Sequence, residues 1–187
     1  MTKTQENLQA LKLVERLKTV QRATPVGDRK ESTSEHCFHA VLIADMLTEQ
    51  YPSEVDAQRV KDLVLYHDLV EVYAGDAALI DTEARKNKEE KEHEAFKQLI
   101  TEIPNPERYK KLYEEYEKKE SIEAKIAKKK YRIEVLINAV NEPRIVKNQG
   151  YTEEFLRKNY NTIGGDVPVI DELHEEILAK LKKQEKI

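Results

Sequence analysis

The sequence predicts an all-α protein organised as one domain, and three observations carry that reading. Glycine and proline supply only 5 and 6 of the 187 positions, about half the roughly 12% expected from average usage, so turns are few and the elements between them long. The chain is rich in the good helix formers Glu, Lys, Leu and Ala, and its apolar residues recur at helical spacings. Strand-rich folds need turn residues every 8–12 positions or so, which excludes an all-β architecture. The length suits one domain, since roughly 100–200 residues is the usual allotment. A chain of this size buries about 70% of the surface its unfolded form exposes, so folding requires neither a disulfide nor a structural metal.

A first helix is expected from about Thr4 to Arg22, with Leu8, Leu11, Val14 and Leu17 forming an apolar stripe. Pro25 and Gly27 then place a loop from Ala23 to Lys30. Ser32-Thr33-Ser34-Glu35 reads as a capping box that opens a second helix carrying His36 and running to about Tyr51. Pro52-Ser53 breaks it, and a third helical segment from about Asp56 leads into His67-Asp68-Leu69-Val70-Glu71-Val72, ending at Ala74-Gly75-Asp76. From Asp81 to Ile100 a long polar helix of alternating charge has the pattern of a solvated face. Pro104 and Pro106 introduce a helix from about Glu107 to Lys119, whose Tyr109, Leu112, Tyr113 and Tyr116 read as core rather than a base-stacking platform. Ser121 caps a helix holding Ile122, Ile126, Ile133 and Ile137. Thr152 to Tyr160 and about Pro168 to Lys183 complete the series, with Gly164-Gly165 as a plain turn between them.

Several classes of function are set aside by composition. No apolar run approaches the ~20 residues that span a bilayer, and Met1 to Asn7 lacks the apolar core of a signal peptide; no membrane partner and a cytoplasmic location are expected. The single cysteine, Cys37, rules out thiolate metal clusters and redox CxxC motifs. A net charge of −4 argues against a nucleic-acid polymer as partner, which would call for a basic excess. A small anionic ligand is compatible with it.

The chemistry concentrates in two helical segments, where His36, His39 and His67 lie beside acidic residues. Adjacent residues on a helix differ by ~100°, so His67 and Asp68 can both reach an ion wedged at a helix end. Glu71 follows His67 by four residues on the same face, placed to act beside a metal rather than bind it. Asp76 follows a glycine and can project into the same space. His36, one helix earlier, would complete a mixed nitrogen and oxygen set. Such a set suits Mn²⁺, Co²⁺, Fe²⁺ or Zn²⁺ better than Ca²⁺. His93 and His174 sit in charged helices and suggest no site; His39, one turn from His36, is placed to orient it.

Ser32 to His36, His67-Asp68-Leu69-Val70-Glu71 and Gly75-Asp76 resemble the HD-domain metal-dependent phosphohydrolases, nearest the branch of bacterial 5′-deoxynucleotidases and related hydrolases. The likeness runs from about Leu11 through Glu134 and includes Glu123-Ala124-Lys125-Ile126-Ala127-Lys128 and Arg132. It implies a single helical HD domain over residues 1–187, with a metal-site core at about 11–140 and C-terminal helices at about 150–187. It further implies a homodimer, and one divalent ion (Mn, Co, Mg, Fe or Zn) bound by His36, His67 and Asp68. By the same resemblance Glu71 and Asp76 line the catalytic pocket and Arg22 meets substrate phosphate. Lys18, one turn before Arg22, would assist. A divalent ion polarises a phosphoryl oxygen and lowers the pKa of a bound water, Glu71 can move a proton, and arginine offers phosphate a planar fork of donors.

The sequence departs from the family pattern at two places. The fourth metal ligand of the family is an aspartate followed by arginine, and here the pair is Tyr131-Arg132. A neutral phenol, with a reference pKa near 10, is a poor ligand for most divalent ions. Three readings stay open: water or Glu134 fills the position; the ion is lost and the fold serves as a nucleotide-binding or regulatory module; or Tyr131 is a change to an otherwise intact enzyme. The expected function is hydrolysis of a small nucleotide, a (deoxy)nucleoside 5′-monophosphate, since three ligands plus water still make a catalytic site in zinc enzymes. Ala23 stands where the deoxynucleotidases carry tryptophan, which leaves preference for deoxyribose open.

Overall fold

A computed structural model describes residues 1–77, 83, 86–142, 151–159 and 167–187, with the side chains of Lys130 and Tyr131 outside that set. The helices are α1 (Lys3–Glu15), α2 (Thr33–Met46), α3 (Ala57–Tyr66), the short α4 (Glu71–Ala74), α5 (Lys88–Leu99), α6 (Pro106–Lys118), α7 (Ile122–Asn141), α8 (Glu153–Asn159) and α9 (Pro168–Lys183). Between α1 and α2 an antiparallel pair is formed by β1 (Gln21–Val26) and β2 (Arg29–Ser32). The architecture is mostly helical, as expected, with this small ribbon added. The expected turn at Gly164-Gly165 lies outside the described residues.

The first forty residues differ most from the sequence reading. Helix α1 stops at Glu15, a 3₁₀ turn covers Arg16–Lys18, and Arg22 stands on a strand rather than at a helix end. In β1, Arg22 and Thr24 are buried while Gln21 is exposed, the alternation that a pleated strand imposes. Gly27, at φ +58°, supplies the left-handed turn residue between the strands. The apolar stripe is also redrawn: Ala10, Leu13 and Leu17 are buried, whereas Leu8, Leu11 and Val14 are exposed. Spacings of three lag the helical turn by ~60° per step. Four such residues therefore walk half-way round the helix and cannot share one face.

Among the described residues two apolar clusters fill the interior. The larger joins α2, α3, α6 and α7 with α8 and α9 through residues such as Ala40, Leu63, Leu112, Ile126, Leu156 and Leu178. The smaller gathers Leu13 and Leu17 with Leu69, Val70, Val72, Phe96 and Leu99. Val60, Leu63 and Val64 belong to the first and Leu69, Val70 and Val72 to the second. The segment between them, His67-Asp68, is thereby clamped on both sides. Tight bonds from the amides of Leu69, Glu71 and Val72 to carbonyls three residues earlier turn the chain there.

Candidate metal and phosphate site

Ser32 fixes one half of the site. Its hydroxyl accepts from the Glu35 amide and the Glu35 carboxylate accepts from the Ser32 amide, the reciprocal cap expected from the sequence. That start sets the phase of α2 and turns His36 fully inward, at 0% exposure. The other half is the clamped turn after α3. There the His67 Nδ1–H donates to the Val64 carbonyl at 2.6 Å, which leaves the Nε2 lone pair for the cleft.

Three ligand atoms converge. His36 Nε2 and His67 Nε2 are 3.4 Å apart, and Asp68 Oδ2 lies 3.0 Å from His67 Nε2 and 3.6 Å from His36 Nε2. With both Nδ1 atoms engaged as donors, two imidazole lone pairs and a carboxylate oxygen face one another. Such an arrangement is repulsive unless a cation stands among them, and the mixed donors suit a divalent transition metal. This set fits a metal on the chemistry of its atoms.

Around it runs a buried polar network. His36 Nδ1 is 2.9 Å from Glu134 Oε2, His39 Nδ1 is 3.0 Å from Glu134 Oε1, and Asn138 Nδ2 donates to the same Oε1 at 2.6 Å. Glu134 therefore braces the edge of His36 away from the converging atoms, placed as the carboxylates that orient metal-bound histidines are. His39 acts through Glu134. Burial alone would raise the Glu134 carboxyl, but the bonds from His36 and His39 outweigh it and hold its pKa at about 2. Burial and the Arg22 charge depress the His36 pKa, keeping the imidazole in the neutral form that can ligate. The tyrosine of Tyr131-Arg132 lies outside the described side chains.

Arg22 reaches the same centre from β1. Its Nη1 is 3.4 Å from Asp68 Oδ2 and 3.5 Å from Asp76 Oδ1, while Nε bonds Glu31 Oε2 at 3.3 Å. Gly75, at φ +71°, ends α4 and turns Asp76 inward. Glu31 is pushed up to about 7 by burial and by the Glu134 charge, against the pull of Arg22. Asp68 responds oppositely: burial is outweighed by His67, His36 and Arg22, and its pKa falls well below the carboxylate range. Glu71 is buried, accepts from the Thr33 hydroxyl at 2.7 Å, and is raised well above its ordinary pKa by burial and by the charges of Asp68 and Asp76. The environments of Asp68 and Glu71 thus push the pKa values of two carboxyls of one site apart.

Arg22, His67, Asp68, Glu71 and Asp76 line a cleft of about 460 Å³ together with Tyr116, Lys128 and Arg132. Lys18 is not among them. Its Nζ pairs with Glu15 at 3.1 Å on the exposed surface, with 68% of the side chain in solvent, because the chain leaves helical geometry before Arg22 and the two residues no longer sit one turn apart. Glu31 and Asn138 were not singled out from the sequence, while Thr33 entered only as part of the capping box and Lys128 only within the stretch that carries the resemblance, without a role in the site. Lys128 and Arg132 are also spaced i,i+4 and share a face of α7.

Comparison with known proteins places the chain in a family. The pattern of the HD domain family matches residues 14–171, and the chain belongs to that family. Over 181 residues it is 32% identical to the 5'-deoxynucleotidase HDDC2 of Xenopus laevis, covering 90% of this chain and 86% of that one. The human 5'-deoxynucleotidase HDDC2 is 31% identical over 180 residues, covering 92% and 85%. Among solved structures, a predicted metal-dependent phosphohydrolase from Magnetospirillum magnetotacticum superposes with a TM-score of 0.87 at 26% identity, covering 100% of this chain and 98% of that one. A conserved hypothetical protein from Pyrococcus furiosus shares the fold at a TM-score of 0.72 and 22% identity, covering 92% and 99%. None of the described helices is long and apolar enough to cross a membrane.

Proposed function

We propose that this chain is a metal-dependent phosphohydrolase that releases phosphate from nucleoside 5′-monophosphates. The convergence of His36 Nε2, His67 Nε2 and Asp68 Oδ2 on one point beside the Arg22 guanidinium carries the reading. Its relatives named as 5'-deoxynucleotidases and a phosphohydrolase support it. In this reading His36, His67 and Asp68 hold the ion, and a divalent cation there would polarise a phosphoryl oxygen and lower the pKa of water. Arg22 binds the phosphate, its guanidinium steadied by Glu31, Asp68 and Asp76. Glu71, protonated where an ordinary carboxyl is not, gives its proton to the leaving ribose oxygen, and Thr33 holds its carboxyl in place. Asp76 keeps that proton on Glu71 by charge repulsion.

A second reading is favoured by one observation, the tyrosine at 131 in the family's aspartate position: a nucleotide-binding protein of the same fold without turnover. Phosphate release from ribo- and deoxyribonucleoside monophosphates with Mn²⁺, Co²⁺, Mg²⁺ or Zn²⁺, comparing the parent with Tyr131→Asp, separates the two. Turnover by the parent is the expected result. Nucleotide binding with no turnover at any ion would overturn the enzyme reading, and turnover only in Tyr131→Asp would mark the tyrosine as the silencing change.

A further inference from the structure

Among the cationic side chains that line the cleft beside Arg22, Lys128 is the one set on an aromatic ring that also packs on the ligand cluster, and the chemistry derived so far gives it no part. Lys128 follows Ala127 on α7, and Ala124, Ile126 and Ala127 are fully buried, so the helix cannot roll to take the lysine out into water. Its Nζ stands 4.8 Å above the centre of the Tyr116 ring. The same ring packs 5.3 Å from the His67 imidazole, which sets the ammonium on a platform shared with a member of the ligand cluster. Lysines ordinarily extend their ammonium into solvent. This one is held over an aromatic face inside a polar cleft, in a site whose proposed substrate is a dianion. Burial draws its pKa down to about 8 while Glu117 and Asp68 oppose the fall, so it still carries its charge at neutral pH.

A phosphate monoester has three terminal oxygens. A divalent cation held by His36, His67 and Asp68 would engage one and the Arg22 fork another, and the third calls for a point donor that need not be planar. We propose that Lys128 is a phosphate-binding residue, supplying from α7 the contact that Arg22 supplies from β1. The inference rests on the phosphohydrolase reading but is tested apart from it. A purely structural lysine, holding Tyr116 in place, is the competing role.

Calorimetric titration of the Mn²⁺-loaded protein with inorganic phosphate decides between them, for the parent, Lys128→Met and Lys128→Arg, with Mn²⁺ affinity measured for each. Lys128→Met is expected to bind phosphate about tenfold or more weakly, the loss typical of a charged hydrogen bond, with Mn²⁺ affinity unchanged. Lys128→Arg is expected to retain most of the phosphate affinity. Equal phosphate affinity in the parent and Lys128→Met overturns the proposal, as does parallel loss of Mn²⁺ and phosphate binding, or a parent that binds no phosphate. Lys128→Gln replaces the methionine variant if that one does not fold. Because the readout needs no turnover, an inactive parent would sink the nucleotidase reading without silencing this result.

Discussion

Glu134 Oε2 lies 2.9 Å from His36 Nδ1, both groups fully buried, and this contact braces the imidazole from the edge opposite the converging ligand atoms. The same residue holds His39 and Asn138, so one carboxylate on α7 locks two histidines of α2. Removing its charge while keeping its shape is expected to loosen the metal more than the fold. Glu134→Gln should weaken Mn²⁺ binding about 10–100-fold, the usual cost of losing such an outer partner. Isothermal titration checks this, and an unchanged affinity would refute the orienting role.

The raised pKa of Glu71 gives a pH prediction with a definite sign. Burial and the charges of Asp68 and Asp76 keep the proton on this carboxyl above the ordinary range, and the acid form is the one proposed to act. In the metal-free protein the Glu71 carboxyl should therefore titrate above the ordinary range in a carboxyl NMR titration, and loading a divalent ion, which offsets the Asp68 charge, should draw it down. In Glu71→Gln that resonance should vanish and kcat drop about 10²–10⁴-fold. A Glu71→Gln variant with the parent's rate would exclude the proton-donor role.

Arg22 and Lys18, paired by the sequence reading, are separated by the structure and should separate in kinetics. Lys18→Ala is expected to leave KM for a nucleoside monophosphate unchanged, since an exposed pair such as Lys18–Glu15 contributes little. Arg22→Ala removes a buried charge facing Glu31, Asp68 and Asp76 and should both cut kcat/KM about 100-fold or more and lower the melting temperature. Equal effects of the two substitutions would contradict the placement of Lys18 outside the cleft.

The cap of α2 connects stability to acid. Arg29 and the Ser32 amide and hydroxyl hold the Glu35 carboxyl down at about 2, against an ordinary 4.5. A depressed carboxyl stabilises the fold above 4.5, and the contribution is lost as pH falls toward 2. Acid denaturation followed by circular dichroism should show a flatter profile across that window in Glu35→Gln. Ser32→Ala, which removes the hydroxyl half of the cap, should cost about 1 kcal/mol and lower Tm by roughly 2–4 °C.

How far the sequence reaches is visible in particular residues. Ser32 and Glu35 announce the start of α2 because a cap is a contact across three positions, and Ser121 does the same for α7. His36, His67 and Asp68 were legible because His-Asp at the end of one helical segment and a histidine in the helix before it form a pattern of residue types. The buried tyrosines of α6 were likewise readable from their spacing. The contacts of Thr33 with Glu71 and of Lys128 with Tyr116 carried no such mark.

What the sequence by itself determined was the mostly helical class, most helix starts and the identity of the residues that the structure brings together as a ligand set. Only the tertiary structure decided that Arg22 comes from a strand, that Lys18 stays in solvent, that Glu134 serves His36 from behind and that Lys128 enters the cleft. The physical reason is range. Caps and amphipathic spacing are settled within a turn or two of chain, whereas Arg22 meets Asp68 and Asp76 across 46 and 54 residues and His36 meets Glu134 across 98. Those pairings depend on two apolar clusters closing on either side of His67-Asp68, and no local pattern of residues encodes that closure.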